Sequence, residues 1–464
     1  MSMNSFRSIS IFSGLSLLVS VGLNQEVPNE FYEFNFQKIK LDHGIDWPRH
    51  TTFGPYRFSH NDKKSDSLRM NARIGTNLYN NKKSIYAYGH FTFDTHFHGY
   101  LYPRIVSQPD LYNRYSGIPR DISRSGFSSG ETDLSGISYE NDWMIIQFGR
   151  GRQSWGAGND IQLALSEESN AYDYGMLDLD FRALKVRYFH GYLETDALFV
   201  NRYITGRGIE WNNQSNMLIG LSEIIIYSGK NRPIDFSYFN PISTHLEIEM
   251  NDRQNNVGTS SGNGIWQISI DYLPFHRFRL SGNYLFDEFT LDSQQTQNGK
   301  GSGRAHSVRF AYAIVKDEST LASIYFSNIS VGTNTFKHQI GKNNFVQRNK
   351  PLGWSKGSDT REIQIGFNGS FRNSFLLNIG LGNRIEGEKN ILNDPYNGYS
   401  DYLSEPFPSG DVDYINYAFT KMQWWWKPNL SIASEIIYEN SNSSGKYFTI
   451  NFGLDLFYGI KTYI

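Results

Sequence analysis

The chain has 464 residues, 16% aromatic and 19% charged, with 42 Gly, no Cys and a formal net charge of −2. Thirty Tyr and 33 Phe exclude a disordered polypeptide, which is poor in aromatics, and the balanced charge excludes an electrostatic nucleic-acid binder. The absence of Cys removes disulfide frameworks, cysteine–zinc sites and cysteine nucleophiles, and a negative mean hydropathy excludes a bundle of membrane-spanning helices.

In chain order, the first feature is a leader. Arg7 precedes an apolar and serine run from Ile9 to Val21, with small Ser20 and Gly22 at its end. The run is too short to span a bilayer and no stop-transfer pattern follows, so residues 1–22 read as a cleavable signal peptide. Residues 23–69 read as a periplasmic lead-in. Asn24–Asn61 contains Pro28, Pro48 and Pro55 with Gly44 and Gly54 and shows no sustained helical period.

Residues 70–464 are dominated by period two, in which i, i+2 and i+4 share one face of a strand. Within HFTFDTHFHG, His90, Asp94, His96 and His98 share parity. His and carboxylate at that spacing can ligate a transition metal, but a polar lumen face has the same pattern, so no metal is expected. The segment 149–158, GRGRQSWGAG, stands apart. Arg150 and Arg152 can fork a carboxylate or phosphate and Trp155 can stack on a sugar ring; as a plug loop, the same residues would instead form a small core with paired arginines. Alternation marks strands at 182–190, 192–200, 265–272, 277–286, 307–315, 361–368, 373–381 and 430–438. Trp266, Ile268, Ile270 and Tyr272 oppose Gln267, Ser269 and Asp271. The stretches 251–264 and 289–306 read as long loops, whereas 273–277 and 371–374 read as tight turns. Trp424, Trp425 and Trp426 suit an interfacial girdle. In the last strand Phe448, Ile450, Phe452, Leu454, Leu456 and Tyr458 share one parity and Asn451, Gly453 and Asp455 the other.

A membrane-crossing chain without apolar helices must close into a barrel, because only helices and barrels satisfy every backbone hydrogen bond in lipid. At roughly 9–11 residues per crossing, about 18 strands leave room for alternating short turns and long loops. The expected fold is therefore an all-β, antiparallel outer-membrane barrel of about 18 strands, its lumen partly plugged by loops, in a Gram-negative bacterium. No serine nucleophile elbow is present: Gly220-Leu221-Ser222-Glu223-Ile224 lacks the second glycine. Neither catalytic residues nor a cofactor are expected.

Several ordered stretches resemble the Wzi family of outer-membrane capsule assembly proteins. They are Gly149-Arg150 through Trp155-Gly156-Ala157-Gly158, with Ala157 where the family has proline, Gly206-Arg207-Gly208-Ile209-Glu210-Trp211, and Leu218–Glu223 through Arg232-Pro233. Asn255-Asn256 and Ile265–Pro274 follow, then His338, Gly341, Pro351-Leu352-Gly353, Gly357 and Asp359. The resemblance covers most of 140–464. It implies an 18-stranded barrel that holds capsular or extracellular polysaccharide at the cell surface without catalysis; the family's periplasmic helical segment is not expected here. Arg150, Arg152, Trp155, Arg207, Glu223, His338 and Asp359 are the candidates for polysaccharide contact or plug-loop packing. Other expected partners are outer-membrane lipid and the barrel-insertion machinery, and the closed barrel is expected to be a monomer. The alternatives are a substrate-specific porin, with rows such as Lys185-Arg187 and Arg277-Arg279 lining a wet channel, and an outer-membrane hydrolase.

Overall fold

A computed structural model describes residues 32–54, 68–247, 262–287, 303–398 and 406–463, apart from isolated positions. The proposed signal peptide, most of loops 251–264 and 289–306, and Asn255-Asn256 lie outside the described residues.

Eighteen antiparallel strands form one closed barrel. In chain order they are β1 (Arg69–Tyr79), β2 (Lys82–Phe93), β3 (Phe97–Val106), β4 (Ser129–Glu140), β5 (Met144–Gly151) and β6 (Tyr172–Asp180). Next come β7 (Leu184–Thr195), β8 (Val200–Asn212), β9 (Met217–Lys230), β10 (Asn263–Phe275), β11 (Phe278–Asp287) and β12 (Gly303–Lys316). The last six are β13 (Thr320–Val331), β14 (Thr360–Phe371), β15 (Phe375–Glu386), β16 (Asp413–Lys427), β17 (Leu430–Ser441) and β18 (Gly445–Tyr463). Each strand pairs with its sequence neighbour, and Arg69–Tyr79 of β1 pairs with Gly453–Tyr463 of β18 to close the cylinder.

Connections alternate with the strands. One rim carries only tight turns, such as 276–277, 317–319, 372–374 and 428–429, together with both ends of the barrel. The other carries the connections 107–128, 152–171, 231–262, 288–302, 332–359 and 387–412. In outer-membrane barrels the tight-turn rim is periplasmic and the long loops are extracellular.

The alternating rows fall as the sequence predicts. Ile268 and Ile270 face outward and are exposed, whereas Gln267, Ser269 and Asp271 are buried in the lumen. Phe448, Ile450, Phe452, Leu454, Leu456 and Tyr458 face outward on β18. Three readings need correction. Residues 192–200 are not one strand: β7 ends at Thr195, and the chain turns through Asp196–Phe199, with Phe199 at φ +61°. Of the three tryptophans on β16, Trp424 and Trp426 are exposed outward, but Trp425 has the opposite parity and packs edge-on against Phe457 inside, 5.9 Å between ring centres. The N-terminal segment does contain a helix, α1 (Tyr32–Asp42). It lies in the lumen at the tight-turn rim, where Phe36 and Ile39 pack with Leu321 and Leu376, and the lumen walls β12–β15 surround it. A helix enclosed by walls of mixed polarity on several sides needs no single apolar stripe, which is why no helical period marks it.

A charge on the outer row should therefore impair assembly. Ile450→Arg is expected to cost about 2–4 kcal/mol if placed near the membrane midplane, read as loss of the heat-modifiable folded band on gels. Asn451→Arg, on the lumen side beside Glu435, should leave that band intact.

Candidate functional site

The lumen is filled from both rims. Phe53–Gly54 forms a two-residue ladder with Ser154–Trp155 of the extracellular loop 152–171, and the Gly156 N–H donates to Thr52 O at 2.7 Å. Trp155 is fully buried. Its ring lies 4.8 Å from Phe53 and 5.2 Å from Phe189, and its indole N–H donates to Gln153 Oε1 at 3.2 Å. Leu163, Leu165, Phe345 and Leu352 extend this core to the second large loop, 332–359. The two loops meet at Gly353, where an added Cβ would sit 1.7 Å from Leu163 O, so only glycine permits the approach.

Buried ion pairs bind the plug to the wall. Arg309 Nη2 lies 2.7 Å from Asp42 Oδ2 on α1; within the plug, Lys38 of α1 pairs with the more exposed Asp160 of loop 152–171. Arg279 donates to Asp271 at 2.6 and 2.9 Å, and His50 Nε2 lies 2.7 Å from the same carboxylate. A carboxylate or guanidinium removed from water must find such partners, since an unpaired buried charge costs several kcal/mol.

The residues singled out in the sequence are dispersed over three places. Arg150 reaches Glu131 at 2.6 Å and Asp173 at 3.1 Å. Arg152 donates to Ser169 O at 2.6 Å and Ser116 Oγ at 3.1 Å, and also reaches Arg114 O. Arg152 and the enclosed Trp155 sit in the plug, and Arg150 just before them lies at the rim end of wall strand β5. Asp359 ties loops 332–359 and 387–412 together, and His338 is held within the first of them. Asp359 accepts from Thr333 Oγ1 at 2.7 Å, Ser409 N at 3.0 Å and Lys389 N at 3.1 Å, while the His338 N–H donates to Asn344 Oδ1 at 2.8 Å. Arg207 and Glu223 are 3.4 Å apart and lie on the outer face of the barrel, sharing parity with exposed Ile209, Trp211 and Leu221. The four residues at 90–98 do not share one strand face. Asp94 has φ +50° and begins the turn after β2, the His90 and His98 rings stack across the hairpin at 5.9 Å, and His96 bonds to Glu140 O. Among the described residues, no group of three or more His, Cys, Asp and Glu is placed to hold a metal ion.

The extracellular roof brings together residues that no motif marked. Tyr396 donates to Glu194 Oε1 at 2.6 Å, with Lys342 Nζ 4.7 Å and the Arg202 guanidinium 5.0 Å from its ring centre. Burial and the hydrogen bond to Glu194 push the Tyr396 phenol up to about 12. Gly341 lets this strand of loop approach: a Cβ there would meet Tyr396 O at 2.1 Å. Arg348 and exposed Asn349 and Lys350 border the cluster. Its members come from β7, β8 and two different loops, so no local spacing could reveal it.

The far lumen wall carries a further set of ion pairs. On β14–β17, Lys421 pairs with Glu435 at 2.7 Å, and Arg384 with Glu362 at 3.8 Å and Glu439 at 3.6 Å. The Lys421 and Glu439 side chains keep 32% and 34% of their surface accessible, so this stretch of the lumen wall presents accessible charge.

No family model matches the chain, and no curated protein matches it in sequence. Among solved structures, the fold is similar to that of Wzi of Escherichia coli, described as an outer-membrane protein involved in group 1 capsule assembly and a carbohydrate-binding β-barrel. The TM-score is 0.58 at 12% identity, over 85% of this chain and 84% of that one. OprD of Pseudomonas aeruginosa gives 0.45 at 10% identity, over 85% and 95% of the two chains. The outer-membrane protein opdK of the same organism gives 0.47 at 8%, over 86% and 100%. Fold and outward apolar belt together place this chain in a Gram-negative outer membrane.

Trp155→Ala should open a cavity where loop 152–171 meets the wall and cost about 3–5 kcal/mol. Thermal unfolding in detergent is expected to show the loss, with the barrel still inserted.

Proposed function

We propose that this barrel binds capsular or extracellular polysaccharide on its extracellular roof and helps attach or assemble it at the cell surface. The observation that carries this reading is the roof cluster of Tyr396, Lys342, Arg348 and Lys350, built over a lumen that loops 152–171 and 332–359 fill. Cationic side chains give charge-assisted hydrogen bonds to the carboxylates and hydroxyls of a glycan, and aromatic rings offer apolar area beside them. A polymer engages many chains at once, so modest contacts per barrel suffice for retention through avidity. The fold likeness to a carbohydrate-binding barrel agrees with this reading. The candidates Arg150, Arg152, Trp155, His338 and Asp359 then act from beneath, holding the loops that form the roof. Chemistry of this kind is binding without catalysis. The final strand with its outward apolar row is the feature that the barrel-insertion machinery would engage.

A second reading, a substrate-specific porin, draws on the accessible lumen charges Lys421 and Glu439, each beside a buried partner, Glu435 and Arg384. Planar-bilayer conductance separates the two: a closed trace is expected for a polysaccharide-binding barrel, and large steady conductance favours the porin.

Lys342→Ala combined with Lys350→Ala should weaken binding of the host's surface polysaccharide about tenfold, equivalent to ~1.4 kcal/mol. The measurement is retention of labelled polymer on cells and on purified protein. Unchanged binding in the folded double variant would reject the roof as the site.

A further inference from the structure

The connection between β9 and β10 does not rise freely from the rim. Residues 231–245 fold down over the outside of the barrel. On β8, Arg202, Ile204 and Glu210 belong to the lumen row, where Arg202 donates to Lys342 O and Asn344 O and Glu210 accepts from Thr51. Tyr203, Thr205 and Arg207 therefore face outward, in line with exposed Ile209 and Trp211, yet all three are buried. Tyr227, Ile225 and Glu223 on β9 and His190 on β7 also lie on the outer face and are buried.

The covering segment is fastened by specific contacts. Tyr238 stacks on Tyr227 with ring centres 4.5 Å apart, and Tyr227 on Tyr203 at 5.0 Å. Phe239 stacks on His190 at 4.7 Å. Tyr188 donates to Tyr238 O at 3.0 Å and Tyr203 to Arg232 O at 2.9 Å, while Arg232 pairs with Asp235 at 2.7 Å. The His245 N–H donates to Glu223 Oε1 at 2.9 Å, and Arg207 Nη1 donates to Asn240 O at 3.2 Å.

Distances along the strand show how far down the cover reaches. Glu223 lies seven residues from the outer end of β9 at Lys230, roughly 23 Å along the strand at about 3.3 Å per residue. An outer-membrane barrel presents an apolar band about 25 Å tall. On β8 the exposed outward apolar row shrinks to Ile209 and Trp211, about 7 Å along the strand. On neighbouring β10, Ile268 and Ile270 are exposed, and Trp266, paired with Glu223 beside the cover, is half-buried. The missing part of the band on β7–β9 is supplied by the covering segment, which turns Ile234, Phe236, Phe239 and Ile242 outward. Phe236 and Ile242 are 75% and 84% exposed.

We infer that residues 233–242 form a flap lying in the outer leaflet, whose outer face contacts lipid acyl chains and whose inner face shields the Arg207–Glu223 pair from them. The occupant of this apolar face is hydrocarbon because the face is continuous with the barrel's lipid-facing rows. An uncovered outward arginine would otherwise cost about 2–4 kcal/mol at mid-depth. The inference is independent of what the roof binds.

The absence of native cysteine makes the test direct. Phe236→Cys and Ile242→Cys are each labelled with an environment-sensitive fluorophore in phosphatidylcholine vesicles containing doxyl-labelled lipid. Ile450→Cys serves as the belt reference and Asn349→Cys as the roof reference. Blue-shifted emission and lipid quenching within about twofold of the Ile450 label are expected at both flap positions. Emission and quenching like those of the Asn349 label would overturn the inference. So would protection that vanishes on dilution to one barrel per lipid nanodisc, which would assign the face to a second copy.

Discussion

Closure is the constraint from which the rest of this molecule follows. Hydrocarbon offers no hydrogen-bond partner, so a strand edge left open in a membrane would strand a full row of N–H and C=O groups. The register between Arg69–Tyr79 and Gly453–Tyr463 removes that edge. Once the sheet is a cylinder, alternation assigns one row of each strand to lipid and the next to the interior. The interior row is consequently polar and charged, and every ionic group in it needs a neighbour. The pairs Arg279–Asp271, Arg309–Asp42 and Arg104–Asp133 are thus a result of the cylinder as much as a device of function.

A cylinder of this width cannot be filled by its own side chains. The chain fills it with backbone drawn from both rims: α1 and residues 50–54 from the tight-turn side, loops 152–171 and 332–359 from the other. Here the usual arrangement of a soluble protein is partly restored. Trp155, Leu163, Leu352 and their neighbours make a dry apolar core inside a polar ring, which is itself inside an apolar belt. The filling is one-sided. It packs against β5–β15 and leaves Lys421 on β16 and Glu439 on β17 with accessible charge, and this asymmetry underlies both functional readings of the lumen.

Periodicity made much of this legible in advance. The outward row of β18, the opposed faces of Ile268 and Gln267 and the alternation of turns with long loops all follow from a two-residue repeat. That repeat is a local property. What escaped detection depends on contacts remote in sequence. α1 has no helical stripe because its surroundings mix apolar Leu321 and Leu376 with polar partners such as Arg309 and come from four strands. Tyr396 meets Lys342 and Arg202 only after three separate segments fold. Trp425 belongs to the interior although its neighbours face lipid, and a run of three tryptophans hides that parity. Arg207 was legible in part: its parity with Ile209 and Trp211 already places it outward, but nothing nearby in sequence says what covers it.

The pairing of Phe53–Gly54 with Ser154–Trp155 has a consequence for the order in which the molecule can be made. Its two halves enter the bore from opposite mouths, one ahead of the first wall strand and the other between the fifth and sixth. The ladder between them forms only when both are in place, and a sealed wall would have to admit one of them by threading. The plug and the wall must therefore mature together, so that the last seam is sewn around a filling already seated.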